Sequence, residues 1–96
     1  LLIVNIQLYV RFLWIFTIMA RLPILTGREI IKALERAGFE RRNQVGSHVQ
    51  LIGVDTEGNK HLVTVPDHGN KEIPIGTLLS ILRQSKLSRE EFLEKL

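Results

Sequence analysis

At 96 residues the chain has room for one small domain built around one core. The absence of cysteine excludes disulfide frameworks, thiolate-bound zinc, iron–sulfur clusters and thiol catalysis. Basic residues outnumber acidic ones by 13 to 10, and the net charge of +3 suits an anionic partner such as nucleic acid without demanding one.

The averages conceal a break near residue 20. Residues 1–20 hold 16 apolar residues, a single charge (Arg11), and the only Trp and Tyr. The stretch approaches the length of a membrane span. Asn5, Gln7 and Arg11 interrupt it, and a central Arg costs about 2.5–3.5 kcal/mol on insertion scales. It also lacks the basic start and small-residue cleavage site of a secretory signal. The chain's only Met, Met19, stands where the soluble pattern begins. Residues 1–19 are therefore read as translated leader from a start placed too far upstream. A membrane or interface anchor and a helix packed on the domain are the alternatives. The domain itself is expected to span residues 20–96.

Thr26-Gly27-Arg28-Glu29 forms a capping box, and Ile30, Ile31, Ala33, Leu34 and Ala37 then recur at helical spacing. Gly38 stands where a left-handed stop belongs, which predicts a helix over 27–37. Three extended runs follow: 39–44, 48–54 and 60–65. A turn at Val45-Gly46-Ser47 separates the first two, and the Gly-containing polar loop 55–59 separates the last two. If Val49 and Leu51 face the helices, His48 and Gln50 point to the opposite face. Ile52 and Val54 would then point outward too, so alternation alone leaves the register open.

Pro66 ends the third strand, and the polar loop 67–72 leads to Pro74, suited to a helix start. Ile75, Leu78, Leu79 and Leu82, widened by Ile81, form the apolar stripe of a second helix. Ser88-Arg89-Glu90-Glu91 is another capping box, opening a short helix that carries Phe92, Leu93 and Leu96. The order α-β-β-β-α plus a short C-terminal helix predicts an α+β fold. Its three-stranded antiparallel sheet would have two helices on one face.

Gly46-Ser47-His48 is the most informative chemical run. A turn glycine lets backbone approach a ligand, and the Ser hydroxyl and turn N–H groups can donate to phosphate oxygens. A histidine beside them can take a proton from a ribose 2′-hydroxyl or give one to a leaving oxygen. His61 lies in the third strand, where a cross-strand structural role is expected. His68 lies in a loop that could reach the face bearing His48. Arg41, Arg42 and Lys71 are candidate phosphate contacts, with the two consecutive arginines expected on opposite faces of the first strand. Lys32 and Arg36 read as a solvated helix face. The histidine spacing and the scattered acids give no ligand cluster, so neither a metal nor another cofactor is expected. No phosphate loop, dinucleotide fingerprint or Ser/His/Asp triad is present.

These features together carry a resemblance. Residues 22–88 resemble the HicA toxins of type II toxin–antitoxin pairs, through LTGREIIKALERAGFERRNQVGSHVQL and HLVTVPDHGNKEIPIGTLLSILRQSKLS. The shared features are the helix ending in Ala37-Gly38-Phe39, the Gly46-Ser47-His48 turn, and the Val63-Thr64-Val65-Pro66 strand end with a His shortly after it. Gly76-Thr77-Leu78 opening a helix completes the set. Residues 1–19 have no counterpart in the family.

The resemblance implies a double-stranded-RNA-binding-like fold used as an mRNA interferase, a cytoplasmic endoribonuclease with His48 as the motif histidine. It also implies a HicB-like antitoxin that covers the site. Where many members follow the motif histidine with another His and an aromatic, this chain has Val49-Gln50-Leu51. On this reading His48 is the catalytic acid/base and needs no metal. Gly46 and Ser47 would cradle phosphate, Arg41, Arg42, Lys71 and His68 would contact RNA, and the second proton-transfer group is left between His68 and Lys71. A non-catalytic RNA-binding module is the rival from another class, and a small membrane-anchored protein is a further one.

Overall fold

In the computed structural model, the described residues are 6, 8–11, 13 and 22–96. The expectations for residues 1–19 therefore fall largely outside the described residues. Those described there are helical and exposed, and no described helix is long and apolar enough to cross a membrane.

Helix α1 (Gly27–Arg36) opens on the expected capping box. The Glu29 N–H donates to Thr26 Oγ1 at 3.2 Å, and the Thr26 N–H donates to Glu29 Oε1 at 3.1 Å. The helix stops one residue earlier than its apolar spacing suggests, because Ala37 is already the cap. Gly38 turns left-handed there, and the Phe39 N–H reaches the Leu34 carbonyl at 2.9 Å, closing a Schellman motif. Ile30, Ile31, Ala33 and Leu34 are buried against the sheet. Arg36 is more than a solvated side chain: its Nη1 donates to the Lys95 carbonyl at 2.8 Å, tying the C-terminus to this helix.

The sheet is antiparallel in the order β1 (Glu40–Val45), β2 (His48–Val54), β3 (Lys60–Pro66). Burial decides the register that alternation left open. Val49, Leu51 and Gly53 of β2 are buried beneath the helices, as are Val63 and Val65 of β3. His48, Gln50, Ile52 and Val54 lie on the uncovered face. Every residue of β1 is exposed, so this strand extends past the helical layer. A bulge between Arg41 and Asn43 leaves Arg42 as the extra residue, so the alternation expected to send the two arginines to opposite faces does not run through this pair. Pro66 is paired within the last strand rather than standing beyond it, which β3 tolerates as an edge.

Helix α2 (Ile75–Ser85) keeps the expected period with a shifted phase: Leu78, Ile81, Leu82 and Ser85 are buried, whereas Ile75 is 56% exposed. The stripe begins one turn later because the first turn after Pro74 lies outside the layer packed on the sheet. Gln84 of this helix accepts a 3.2 Å hydrogen bond from the Thr64 N–H, covering part of the β3 edge. Helix α3 (Arg89–Glu94) starts on the Ser88/Glu91 capping box and buries Phe92 completely. The result is the α+β fold expected: one open three-stranded sheet with its helices on one face.

Candidate active site

The β1–β2 connection is a two-residue turn, since Val45 pairs with His48. Gly46 occupies its first central position with φ of 58°, the glycine-first pattern of type II′ hairpins, whose twist matches that of the flanking strands. No side chain lies near the position a Gly46 Cβ would take, so the glycine serves the backbone conformation alone. Gln44 braces the turn, its Nε2 donating to the Gly46 carbonyl at 3.0 Å. Sequence reading passed over Gln44, and its only signal was its position two residues before a turn glycine.

His48 begins the central strand, is exposed, and is flanked by Val45 on one side and Pro66 on the other. The chain just beyond Pro66 then folds onto the turn. The Asp67 N–H donates to the Ser47 carbonyl at 2.7 Å, and Ser47 Oγ and His68 Nε2 share a 3.3 Å hydrogen bond. Either group can be the donor, depending on which imidazole nitrogen carries the proton. The loop turns back at Gly69, with the Lys71 N–H donating to the His68 carbonyl at 3.3 Å. His68, Lys71, Pro66, Ile73, Pro74 and Thr77 line a cleft of about 210 Å³ beside it.

Two packing details hold this loop. Gly27, the first residue of α1, lies so close that a Cβ there would stand 1.9 Å from the Pro66 carbonyl oxygen. Downstream, the Ile73 N–H donates to the Leu25 carbonyl at 2.7 Å. Asp67 Oδ1 is buried with no hydrogen-bond partner among the described residues. Such a group is costly unless something compensates it. Nothing local in the sequence announces this burial, since Asp67 reads there as one of the scattered acids of a polar loop.

The fold thus brings Gly46, Ser47, His48 and His68 together, with Lys71 in the same loop. Arg41 and Arg42 lie three to four residues from Val45 along β1, roughly 10–13 Å by strand geometry. They flank the site rather than enter it. His61 is elsewhere: it pairs with Gly53, five positions along β2 from His48 and about 17 Å away. There its Nε2 hydrogen-bonds Asp55 Oδ2 at 2.8 Å, in keeping with the structural role expected of it. That contact, helped by the backbone N–H groups of Asn59 and Glu57, holds the Asp55 carboxyl well below the usual range, at about 2.

The profile of one protein family, described as the HicA toxin of bacterial toxin-antitoxin, matches residues 27–87, from the start of α1 to just past α2. The chain belongs to the HicA toxin family. It is accordingly the toxin of a toxin–antitoxin system, and the matched span of this HicA toxin contains the whole β1–β2 turn and the loop that carries His68. No curated protein matches the chain.

Proposed function

We propose that this HicA-family toxin is a metal-independent mRNA endoribonuclease in which His48 transfers a proton to or from the reacting ribose and phosphate. The observation that carries the reading is the exposed His48 on the uncovered face, directly after the Gly46-Ser47 turn and near a second imidazole held 3.3 Å from Ser47. In RNA the ribose 2′-hydroxyl is itself the nucleophile. The protein then has to hold the phosphate, remove one proton and supply another, and imidazoles can do this near neutral pH. Ser47 and the turn backbone hold phosphate oxygens, while Lys71 and, further out, Arg41 and Arg42 attract the strand. Such an enzyme works in the cytoplasm, where mRNA is.

The inhibitory partner on this reading is a HicB-like antitoxin that lies over the uncovered face. Exposed Val45 beside His48, with Leu62 and Val54 towards the far end of the sheet, supplies the apolar surface for it to bury. The deciding experiment compares the purified chain with His48→Ala on a defined mRNA fragment. Cleavage should fall by about 10²–10⁴-fold while RNA binding and the folded state persist. Undiminished cleavage by His48→Ala would remove His48 from the mechanism. RNA binding without cleavage by the parent chain would leave a binding module in its place.

A further inference from the structure

We infer that His68 is the second proton-transfer group of this site, acting as the general acid opposite His48; the inference rests on the nuclease reading above. A 2′-hydroxyl attack needs two proton transfers at opposite ends of one phosphate. His48 and His68 are the two imidazoles that the fold places at the same turn. Pro66 is the cross-strand neighbour of His48, so their Cα atoms are about 4.5–5.5 Å apart. His68 follows Pro66 by two residues and is anchored to the turn through Ser47 Oγ, while the adjacent Asp67 N–H anchors the backbone. The two rings can therefore address one phosphodiester from two sides. Lys71, the other candidate left by the sequence, lines the same cleft, and its backbone N–H bonds the His68 carbonyl, but it does not bond to the turn as His68 does.

The acid role is assigned from position. His68 is fixed to Ser47 Oγ through Nε2, so Nδ1 is the ring nitrogen left outside that contact. Lys71 and Glu72 are the charged groups that line the cleft with it. Protonated His68 can keep Nε2–H on Ser47 Oγ and present Nδ1–H to the substrate, since both ring nitrogens then donate. Neutral His48 takes the 2′-hydroxyl proton as the O2′–P bond forms. His68 gives its proton to O5′ as the P–O5′ bond breaks. The products are a 2′,3′-cyclic phosphate and a 5′-hydroxyl end, and exchange with water restores both histidines. No metal, oxidant or other co-reactant enters.

The test uses the full chain and an RNA oligonucleotide with one cleavable linkage, in two forms: ordinary, and with sulfur replacing the bridging 5′-oxygen. Sulfur leaves without being protonated. His68→Gln should slow cleavage of ordinary RNA by about 10²–10³-fold and remove the alkaline limb of the pH–rate profile. It should leave cleavage of the sulfur-linked RNA within about tenfold of the parent, whereas His48→Ala should slow both. Equal losses on the two substrates, or no loss on ordinary RNA, would overturn the acid role of His68. If His48→Ala cleaves both at the parent rate, or the parent cleaves neither, the nuclease reading itself falls. Should His68→Gln fail to fold, His68→Asn takes its place, with the same contrast between the two substrates expected; an equal effect on both counts against the proposal.

Discussion

The Asp67 N–H donates to the Ser47 carbonyl across 2.7 Å, fastening the loop after β3 to the turn that carries His48. One backbone hydrogen bond thereby joins the two segments that supply the site's imidazoles. It also makes the site sensitive to whatever moves that loop, including the helix packed behind it.

Gly27→Ala should therefore impair both stability and activity. The new Cβ would meet backbone, the Pro66 carbonyl, rather than the yielding end of a side chain. Overpacking of this kind costs about 1–3 kcal/mol, and here the displaced segment leads directly into His68. Gly76→Ala is the control, because no atom lies within 4 Å of its Cβ position and the residue is helical. That change should be neutral or stabilise by up to about 1 kcal/mol. Urea unfolding and cleavage assays on the two variants check the contrast, and equal stabilities would refute the packing argument.

The arginines of β1 should act through binding rather than chemistry. Each phosphate contact on a single strand contributes about 0.7 to the slope of log affinity against log salt. Replacing Arg41 and Arg42 together by Ala should reduce that slope by about 1.4 if both touch phosphate. Saturating RNA should restore the parent turnover rate. Titrations at several salt concentrations provide the measurement, and an unchanged slope would place both side chains off the RNA.

Metal removal should leave the reaction intact, since the proposed proton transfers use imidazoles alone. Cleavage in excess chelator is expected to match cleavage without it. Loss of activity that a divalent ion restores would point instead to the acids near the turn, Asp67 or Glu72.

At the other end of the sheet, Asp55 should govern acid stability without touching catalysis. Its carboxyl titrates at about 2 in the folded chain against an ordinary 3.8, chiefly because of the His61 hydrogen bond. A folded value below the unfolded one means that the stabilisation is complete above 3.8 and disappears as the pH falls through about 2. Asp55→Asn should lower the melting temperature at pH 6 and flatten the decline across that acid window. RNA cleavage at neutral pH should not change. Melting curves over a pH series would reveal an inert pair as two parallel profiles.

Much of this protein was legible in the order of its residues. Both capping boxes, the Gly38 stop and the glycine-led turn before His48 depend on hydrogen bonds between residues a few positions apart, so side-chain type and spacing suffice to specify them. The span of β2 followed from the same local signals, whereas the outward aim of His48 did not, because alternation left the register open until burial decided it. Other features came only with the tertiary structure. Nothing local could reveal that Ile75 lies outside the apolar stripe, that Arg42 sits at a bulge, or that Gln84 covers the β3 edge. These depend on where the helices end against the sheet and on which residue a neighbouring strand leaves unpaired. The pairing of Ser47 with His68 is of the same kind. Each residue alone is an ordinary polar group in a turn or loop, and they meet because the antiparallel register returns the end of β3 to the start of β2 while Gly27 allows α1 to press the loop inward. The sequence by itself determined the elements, the turn and the candidate histidine. Tertiary packing decided which second histidine joins it, because contacts between distant segments depend on sheet register and helix docking rather than on local spacing.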